Sequence, residues 1–217
     1  MRKILRYMIV WILLVGSMLC LSACQSKTKE EEGENNMIDF NQNVYAEIEF
    51  STKDRVHLVL YHDKAPASVE NFVRLAQEDF YVGTIFHRII AGFMIQTGGY
   101  YVEGNNLMDK KGVEPIQGEF ANNGYPNNDI KNTLGVISMA RTSNPNSATS
   151  QFFLCCGTCT WLDGDYAAFG KTTDEASNDV ILKFSEIKTG TLGYGFDDFP
   201  TEIISITKVN VSNEPFK

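Results

Sequence analysis

Two polar side chains interrupt the apolar run of residues 86–96, and their chemistry makes this run the first candidate for a functional site. Arg88 carries a permanent positive charge and several N–H donors, and Gln96 can both donate and accept hydrogen bonds. If the run begins as a strand, Phe86, Arg88 and Ile90 share one face and His87 lies on the other. A guanidinium would then lie beside aromatic and sulfur-bearing side chains, where a fixed donor can stabilise developing electron density.

The spacing alone favours a simpler interpretation of the same run. An arginine on an edge strand can lay its aliphatic stem on apolar residues and keep its charged head in water. Gly92 allows a turn or bulge, after which residues 93–96 start a second extended segment. On spacing alone, Arg88 is therefore an ordinary edge-strand residue.

Three blocks of the sequence resemble, in family order, the cyclophilins, which are peptidyl-prolyl cis-trans isomerases. The resemblance covers about residues 44–211, and three ordered blocks are more specific than one short motif. The blocks are Phe86-His87-Arg88-Ile89-Ile90 with Gly92-Phe93-Met94-Ile95-Gln96; Gly135-Val136-Ile137-Ser138-Met139-Ala140-Arg141 with Ser150-Gln151-Phe152-Phe153-Leu154; and Trp161-Leu162-Asp163-Gly164 with Tyr166-Ala167-Ala168-Phe169-Gly170-Lys171.

The reaction implied by the resemblance needs neither a nucleophile nor a cofactor nor a metal. Rotation about a prolyl peptide bond crosses a barrier of about 18–20 kcal/mol that comes from amide resonance. In the twisted amide the prolyl nitrogen regains a lone pair, so a fixed donor aimed at it lowers the barrier. The resemblance implies that Arg88 is the catalytic residue.

The resemblance also implies the residues that contact the substrate. Phe93, Met94, Phe153 and Leu162 would line an apolar, proline-sized pocket, although the same four residues could be ordinary core. Gln96 would reach the substrate backbone and steady Arg88. The remaining expected contacts are Ala140, Arg141 and Gln151 along the groove, Tyr166 as a pocket wall, and Trp161, which implies binding of cyclosporin.

Several positions depart from the family pattern. Ala91 stands where the family usually has proline, and residues 97–99 differ from the common Gly-Gly-Asp. Residues 104–108 replace a glycine-rich run next to the proline pocket, which leaves the preference for residues flanking proline open. His87 is interpreted as structural, because isomerisation transfers no proton.

The N-terminus predicts targeting to a membrane. Three basic residues precede an apolar run over 7–19, which is short for a membrane span. Leu21-Ser22-Ala23-Cys24 then resembles the lipobox of bacterial lipoproteins, with cleavage before a lipidated Cys24; an ordinary signal peptide or a signal anchor is the alternative. The predicted organisation is a signal peptide over 1–23, a lipidated cysteine and flexible acidic tether over 24–43, and the isomerase domain over 44–217.

Composition limits the partners. The chain has 43% hydrophobic and 21% charged residues, which is typical of a soluble globular domain, and a net charge of −8. Cleavage would remove three basic residues and leave 16 basic against 27 acidic residues, a net charge of −11. We expect no nucleic-acid partner, because such a partner needs a basic patch, and an anionic membrane surface would repel the domain.

Three cysteines remain in the predicted domain. Cys155, Cys156 and Cys159 lack a fourth ligand at suitable spacing, so no metal site is predicted. We expect Cys155 and Cys156 to end a strand with one facing in and one out, while a Cys156–Cys159 link stays open.

The elements that position these residues can be read from periodicity. Alternating apolar residues predict strands over 44–50, 55–61, 136–140, 151–155, 166–170 and 203–211. Helices are predicted over 65–78 and over 172–187, the second with Thr172 and Glu175 as a capping box. Many short strands and two helices indicate a mainly β barrel, which the resemblance sharpens to a closed eight-stranded antiparallel β-barrel capped by two α-helices.

The sequence therefore predicts a lipid-anchored, extracytoplasmic peptidyl-prolyl isomerase at the cell membrane. Its partners would be proline-containing segments of secreted or surface proteins, and we expect a monomer. The alternative is a lipid-anchored chaperone module that binds proline-containing peptides with little or no turnover.

Overall fold

The computed structural model describes residues 37–193 and 195–217. The predicted signal peptide, Cys24 and the tether as far as residue 36 lie outside the described residues. The helices are α1 (Pro66–Gln77) and α2 (Glu175–Ser185), and 3-10 turns lie at Ala121–Asn123 and Thr160–Leu162. The strands are β1 (Val44–Phe50), β2 (Arg55–Leu60), β3 (Arg88–Ile90), β4 (Met94–Thr97), β5 (Tyr100–Glu103), β6 (Asn106–Asp109), β7 (Val136–Met139), β8 (Phe152–Cys155), β9 (Ala168–Thr172), β10 (Thr189–Gly190), β11 (Phe199–Pro200) and β12 (Ile206–Ser212).

Eight of these strands form one antiparallel sheet in the order β12-β1-β2-β9-β7-β8-β4-β3. The two edges meet through a short seam in which Gly83 N donates to Ile206 O at 2.8 Å and Phe86 N donates to Ile204 O at 3.1 Å. The mainly β, eight-stranded architecture with two helices is confirmed. The closure is looser than predicted. The seam consists of a single isolated bridge and a few backbone bonds from residues that precede β3, rather than of two fully paired strands.

The sheet is apolar on both faces where β4, β7 and β8 lie side by side. Alternation sends Ile137 and Leu154 into the main core, and sends Met94 and Phe153 into a second apolar cluster on the opposite face. The main core fills the inside of the curled sheet. The second cluster therefore lies on the outward face, which is where a site can open to a substrate.

Helix α1 begins at Pro66, whose fixed backbone angle suits the first turn, and buries a stripe that includes Phe72. Its N-terminus is held from a distant loop, because the buried Glu119 carboxylate accepts bonds from Ala67 N and Ser68 N, both at 2.8 Å. Ser68 Oγ donates a third bond, at 2.7 Å. The prediction of a helix over 65–78 is thus close to the observed bounds.

Helix α2 begins later than predicted. Its N-cap is Asp174, whose side chain accepts a bond from Ser177 N at 2.7 Å. Thr172 belongs to β9 instead, so the predicted capping box with Glu175 is wrong. The aspartate side chain directly before the helix satisfies one of the free N–H groups of the first turn.

Residues 37–43, which the sequence assigns to the tether, lie against the domain. The Phe40 ring stacks on His62 with ring centroids 4.7 Å apart, and Asp39 N donates to Asn213 Oδ1 at 2.9 Å. Within the described residues, no helix is both long and apolar enough to cross a membrane.

Candidate active site

The register of three neighbouring strands brings the key polar and aromatic residues into one row. Arg88 on β3 is paired with Gln96 on β4, and Gln96 is paired in turn with Phe153 on β8. Side chains opposite each other in antiparallel strands lie close together on the same face. The row therefore runs from a guanidinium through an amide to an aromatic ring across the outward face of the sheet.

A cavity of about 120 Å³ opens beside this row. Its base is apolar and well covered, since Met94, Phe153 and Leu162 are 1%, 4% and 6% exposed. A cavity of roughly 150 Å³ is known to hold benzene, so this one fits a five-membered ring. Most of the site residues predicted from the sequence line it: Arg88, Phe93, Met94, Gln96, Ala140, Arg141, Phe153, Leu162 and Tyr166.

Gln151 lines an adjoining cavity of about 150 Å³ rather than the apolar one. Gln96, Ala140 and Arg141 line both cavities, so the two form one continuous groove. Gln96 Nε2 donates to Gln151 Oε1 at 2.8 Å, which fixes both amides at the junction. An extended peptide could therefore place one side chain in the apolar cavity and its neighbour in the second.

Trp161 lies at the edge of the site rather than inside the apolar cavity. Its side chain is 63% exposed, and its ring centroid is 5.4 Å from that of Phe93. Tyr166 packs edge-on against Phe153 at 5.7 Å and so forms one wall.

Arg141 holds that wall in place through its side chain. Its guanidinium lies 4.7 Å from the centroid of the Tyr166 ring and 5.2 Å from that of Phe120, and its Nε donates to Asp165 O at 2.9 Å. The sequence predicted a groove contact near Arg141. The structure adds that this cation stacks between two rings, an arrangement that favours arginine.

Arg88 is half-exposed at the rim of the cavity. Its side chain is 44% accessible, and its Nε donates to Asp198 Oδ2 at 3.2 Å. Among the described residues, its terminal nitrogens have no protein partner. The amide of Gln96 donates to Gln151 Oε1, and the steadying of Arg88 by Gln96 stays a prediction. Asp198 was missed from the sequence, since 110 positions separate it from Arg88 and no local pattern links them.

The residues before Arg88 do not follow simple alternation. Strand β3 begins only at Arg88, and Phe86 packs in the main core with Phe50 at a centroid distance of 5.5 Å. The prediction that Phe86 shares the face of Arg88 is therefore wrong. His87 is buried, and burial lowers its pKa to about 4, so the imidazole is neutral at pH 7.

The three cysteines are free and buried beneath the site. Cys155 lies in the outward cluster and Cys156 in the main core, as expected for neighbours on a strand. Cys156 N donates to Phe93 O at 2.8 Å and Cys159 Sγ donates to the same oxygen at 3.3 Å, so this segment fixes the backbone of Phe93. Burial raises the pKa of each thiol.

The arrangement as a whole can bind an apolar ring and present a cation to it. Phe93, Met94, Phe153 and Leu162 supply the apolar surface, and Arg88 supplies N–H donors at its edge. Such donors stabilise a lone pair that forms beside them. This is a binding and electrostatic site rather than one organised around proton transfer.

Comparison with known proteins places this geometry in context. Residues 45–211 match the family model described as cyclophilin type peptidyl-prolyl cis-trans isomerase/CLD. A peptidyl-prolyl cis-trans isomerase of Acinetobacter baylyi is 39% identical over 163 residues, covering 73% of this chain and 80% of the relative. Peptidyl-prolyl cis-trans isomerase B of Escherichia coli is 41% identical over 160 residues, covering 70% of this chain and 90% of the relative.

Two solved structures of a Cryptosporidium parvum cyclophilin type peptidyl-prolyl cis-trans isomerase are also similar. Both have a TM-score of 0.60 and are covered to 99%. One is 24% identical and covers 80% of this chain, which supports the fold alone. The other, determined in the presence of the dipeptide Ala-Pro, is 26% identical and covers 79% of this chain.

Proposed function

The chain belongs to the cyclophilin-type peptidyl-prolyl cis-trans isomerases, and on that premise we propose that Arg88 and its adjoining pocket rotate X-Pro peptide bonds. The observation that carries the proposal is a half-exposed guanidinium at the rim of a ring-sized apolar cavity. The apolar base holds the pyrrolidine ring, and the rest of the peptide follows the groove towards Gln151. Rotation then occurs about the X-Pro bond, with the proline ring held in the apolar cavity and the rest of the peptide held in the groove.

Arg88 acts on the twisted amide. In the planar ground state the prolyl nitrogen shares its electrons with the carbonyl, and the barrier is about 18–20 kcal/mol. In the twisted state the nitrogen carries a lone pair, to which a terminal N–H of Arg88 donates. Because this bond strengthens only in the transition state, it raises the rate and not merely the affinity.

A coupled protease assay on a chromogenic proline tetrapeptide tests the proposal. Arg88→Ala should lower kcat/KM by about 10²- to 10³-fold, the usual loss for a donor of this kind. Arg55→Ala is a matched control, because Arg55 is 52% exposed, pairs with Glu49 at 3.1 Å and lines neither cavity of the site. Both variants should keep the thermal midpoint, since exposed ion pairs contribute about 0–1 kcal/mol.

Two outcomes would contradict this assignment. An unchanged rate in Arg88→Ala would remove Arg88 from the mechanism. A wild-type protein that binds proline peptides but leaves isomerisation at its uncatalysed rate would support a chaperone module without turnover.

We further propose that the enzyme works outside the cytoplasm, anchored to the membrane by lipid on Cys24, on proline-containing segments of secreted or surface proteins. The support is the lipobox-like Leu21-Ser22-Ala23-Cys24 after a basic and apolar N-terminus. Mass spectrometry should find a lipidated Cys24 at the mature N-terminus, and Cys24→Ser should abolish the added mass of the lipid. A wild-type protein with an unmodified Cys24 would contradict the anchor.

We also propose that the domain binds cyclosporin through the exposed ring of Trp161, which packs on Phe93. Cyclosporin should inhibit the wild-type enzyme more strongly than Trp161→Phe. Equal inhibition of both would contradict the role of Trp161.

We further propose that the domain is a monomer. Light scattering during gel filtration should give the mass of one chain.

A further inference from the structure

Asp198 is fixed beside Arg88 by its backbone as well as by its side chain. Ile89 N donates to Asp198 O at 3.0 Å, so the main chain at Asp198 is bonded to β3, the strand that carries Arg88. Asp198 Oδ2 then accepts the bond from Arg88 Nε at 3.2 Å. Strand β11, which starts at the next residue, pairs with β10 and so fixes the main chain directly after Asp198. The ion pair is therefore part of a defined local structure rather than a meeting of two mobile surface chains.

The guanidinium of Arg88 has open space on two sides. One side is the apolar pocket of about 120 Å³, and the other is a cavity of about 310 Å³ lined also by Asp198, Tyr100 and Phe196. A long, half-exposed arginine side chain has many rotamers, so its terminal nitrogens could face either space. Among the described residues, the bond to Asp198 is the contact that restricts this choice.

We propose that Asp198 is a positioning residue that holds Arg88 by its Nε and so directs the terminal N–H groups at the prolyl nitrogen. Arginine has five N–H donors, and the bond to Asp198 uses the one nearest the stem. The donors at the tip stay available to the substrate. Because an ion pair this exposed adds little to folding stability, its main effect is on orientation, which catalysis requires within narrow limits.

This inference rests on the proposed function of Arg88, and the test is a double-mutant cycle on the proline tetrapeptide. Asp198→Ala should lower kcat about three- to tenfold, with KM changed less, because pairs in direct contact are coupled to about this extent. Asp198→Asn should stay closer to wild type, since its amide oxygen can still accept from Arg88 Nε. Asp197→Ala is the matched control, because Asp197 lines the same cavity and carries the same charge but makes no bond to Arg88 among the described residues, so kcat should stay unchanged.

The same substitution in the Arg88→Ala background separates positioning from a general structural effect. If Asp198 acts through Arg88, Asp198→Ala should cause no further loss there. A wild-type kcat in Asp198→Ala, or an equal loss in both backgrounds, would overturn the inference while leaving the role of Arg88 intact. Wild-type protein that fails to catalyse isomerisation would instead overturn the proposed function.

Discussion

Glu119 provides the sharpest test of how the loop that follows β6 is tied to the rest of the domain. Its carboxylate is fully buried and accepts three bonds at the N-terminus of α1, two from Ala67 N and Ser68 N and one from Ser68 Oγ, at 2.7–2.8 Å. The residue before the helix, Ala65, has no side chain that could cap it. A carboxylate at a helix N-terminus is also favoured by the helix dipole.

Glu119→Ala should be costly because it leaves the two donors of Ser68 buried without a partner, while the part-buried Ala67 N can turn to water. Each buried unsatisfied donor costs about 1–3 kcal/mol, so the two buried donors of Ser68 together cost about 2–6 kcal/mol. We therefore expect a loss of about 4 kcal/mol in the free energy of unfolding. For a domain of this size, about 1 kcal/mol shifts the thermal midpoint by 2–4 °C, so Tm should fall by roughly 8–16 °C.

Urea unfolding followed by circular dichroism measures this loss directly. Glu114→Ala is the matched control, because Glu114 belongs to the same loop but is exposed, and it should change stability by less than about 0.5 kcal/mol. Glu119→Gln should fall between the two, since it keeps one acceptor oxygen but points an amide N–H at the donors. A loss below about 1 kcal/mol in Glu119→Ala would refute the argument that this contact anchors the loop.

Three further predictions follow from burial at and below the site. Phe153→Ala should lower the free energy of unfolding by about 3–5 kcal/mol, measured by urea unfolding, because Phe153 is buried. It should also weaken catalysis in the coupled assay by opening the pocket base. A small loss of stability would contradict the buried position of Phe153. The pKa of His87 is about 4 in the folded protein and about 6.5 in the unfolded chain. The buried neutral imidazole therefore stabilises the fold fully above pH 6.5, and this contribution of about 3 kcal/mol is lost as the pH falls towards 4. His87→Phe should flatten that part of the stability–pH curve, and an unchanged slope would contradict the assignment. Burial raises the pKa of Cys155, Cys156 and Cys159, that of Cys156 to about 12. Iodoacetamide at pH 7 should therefore label these thiols at least about 100-fold more slowly in folded than in urea-unfolded protein, as followed by mass spectrometry. Equal labelling rates would show that the thiols are accessible.

The sequence predicts best where structure is set by neighbours along the chain. The stripe that includes Phe72 sufficed for α1, and alternation sufficed for most strands of the sheet. It failed at Phe86, because β3 begins two residues later and the preceding backbone turns that side chain into the core. It failed at Thr172, where a strand continues past an apparent helix cap.

The site itself was predicted from family resemblance and not from residue patterns. By residue type alone, Met94 and Phe153 are indistinguishable from core residues. They are also as buried as the core residues on the other face of the sheet. The contacts of Asp198 with Arg88 and of Glu119 with Ser68 join residues 110 and 51 positions apart. Such pairs are fixed by the final packing, so no local periodicity could have predicted them.

The apolar cavity at Phe93, Met94 and Phe153 opens on the outward face of the sheet and continues sideways into the groove at Gln151, instead of ending in an enclosed tunnel. Under the proposed function, a client polypeptide would therefore dock laterally, without threading a free end through the enzyme. Prolines in the middle of a long chain, or in a loop that protrudes from an otherwise assembled protein, are as reachable as those near a terminus.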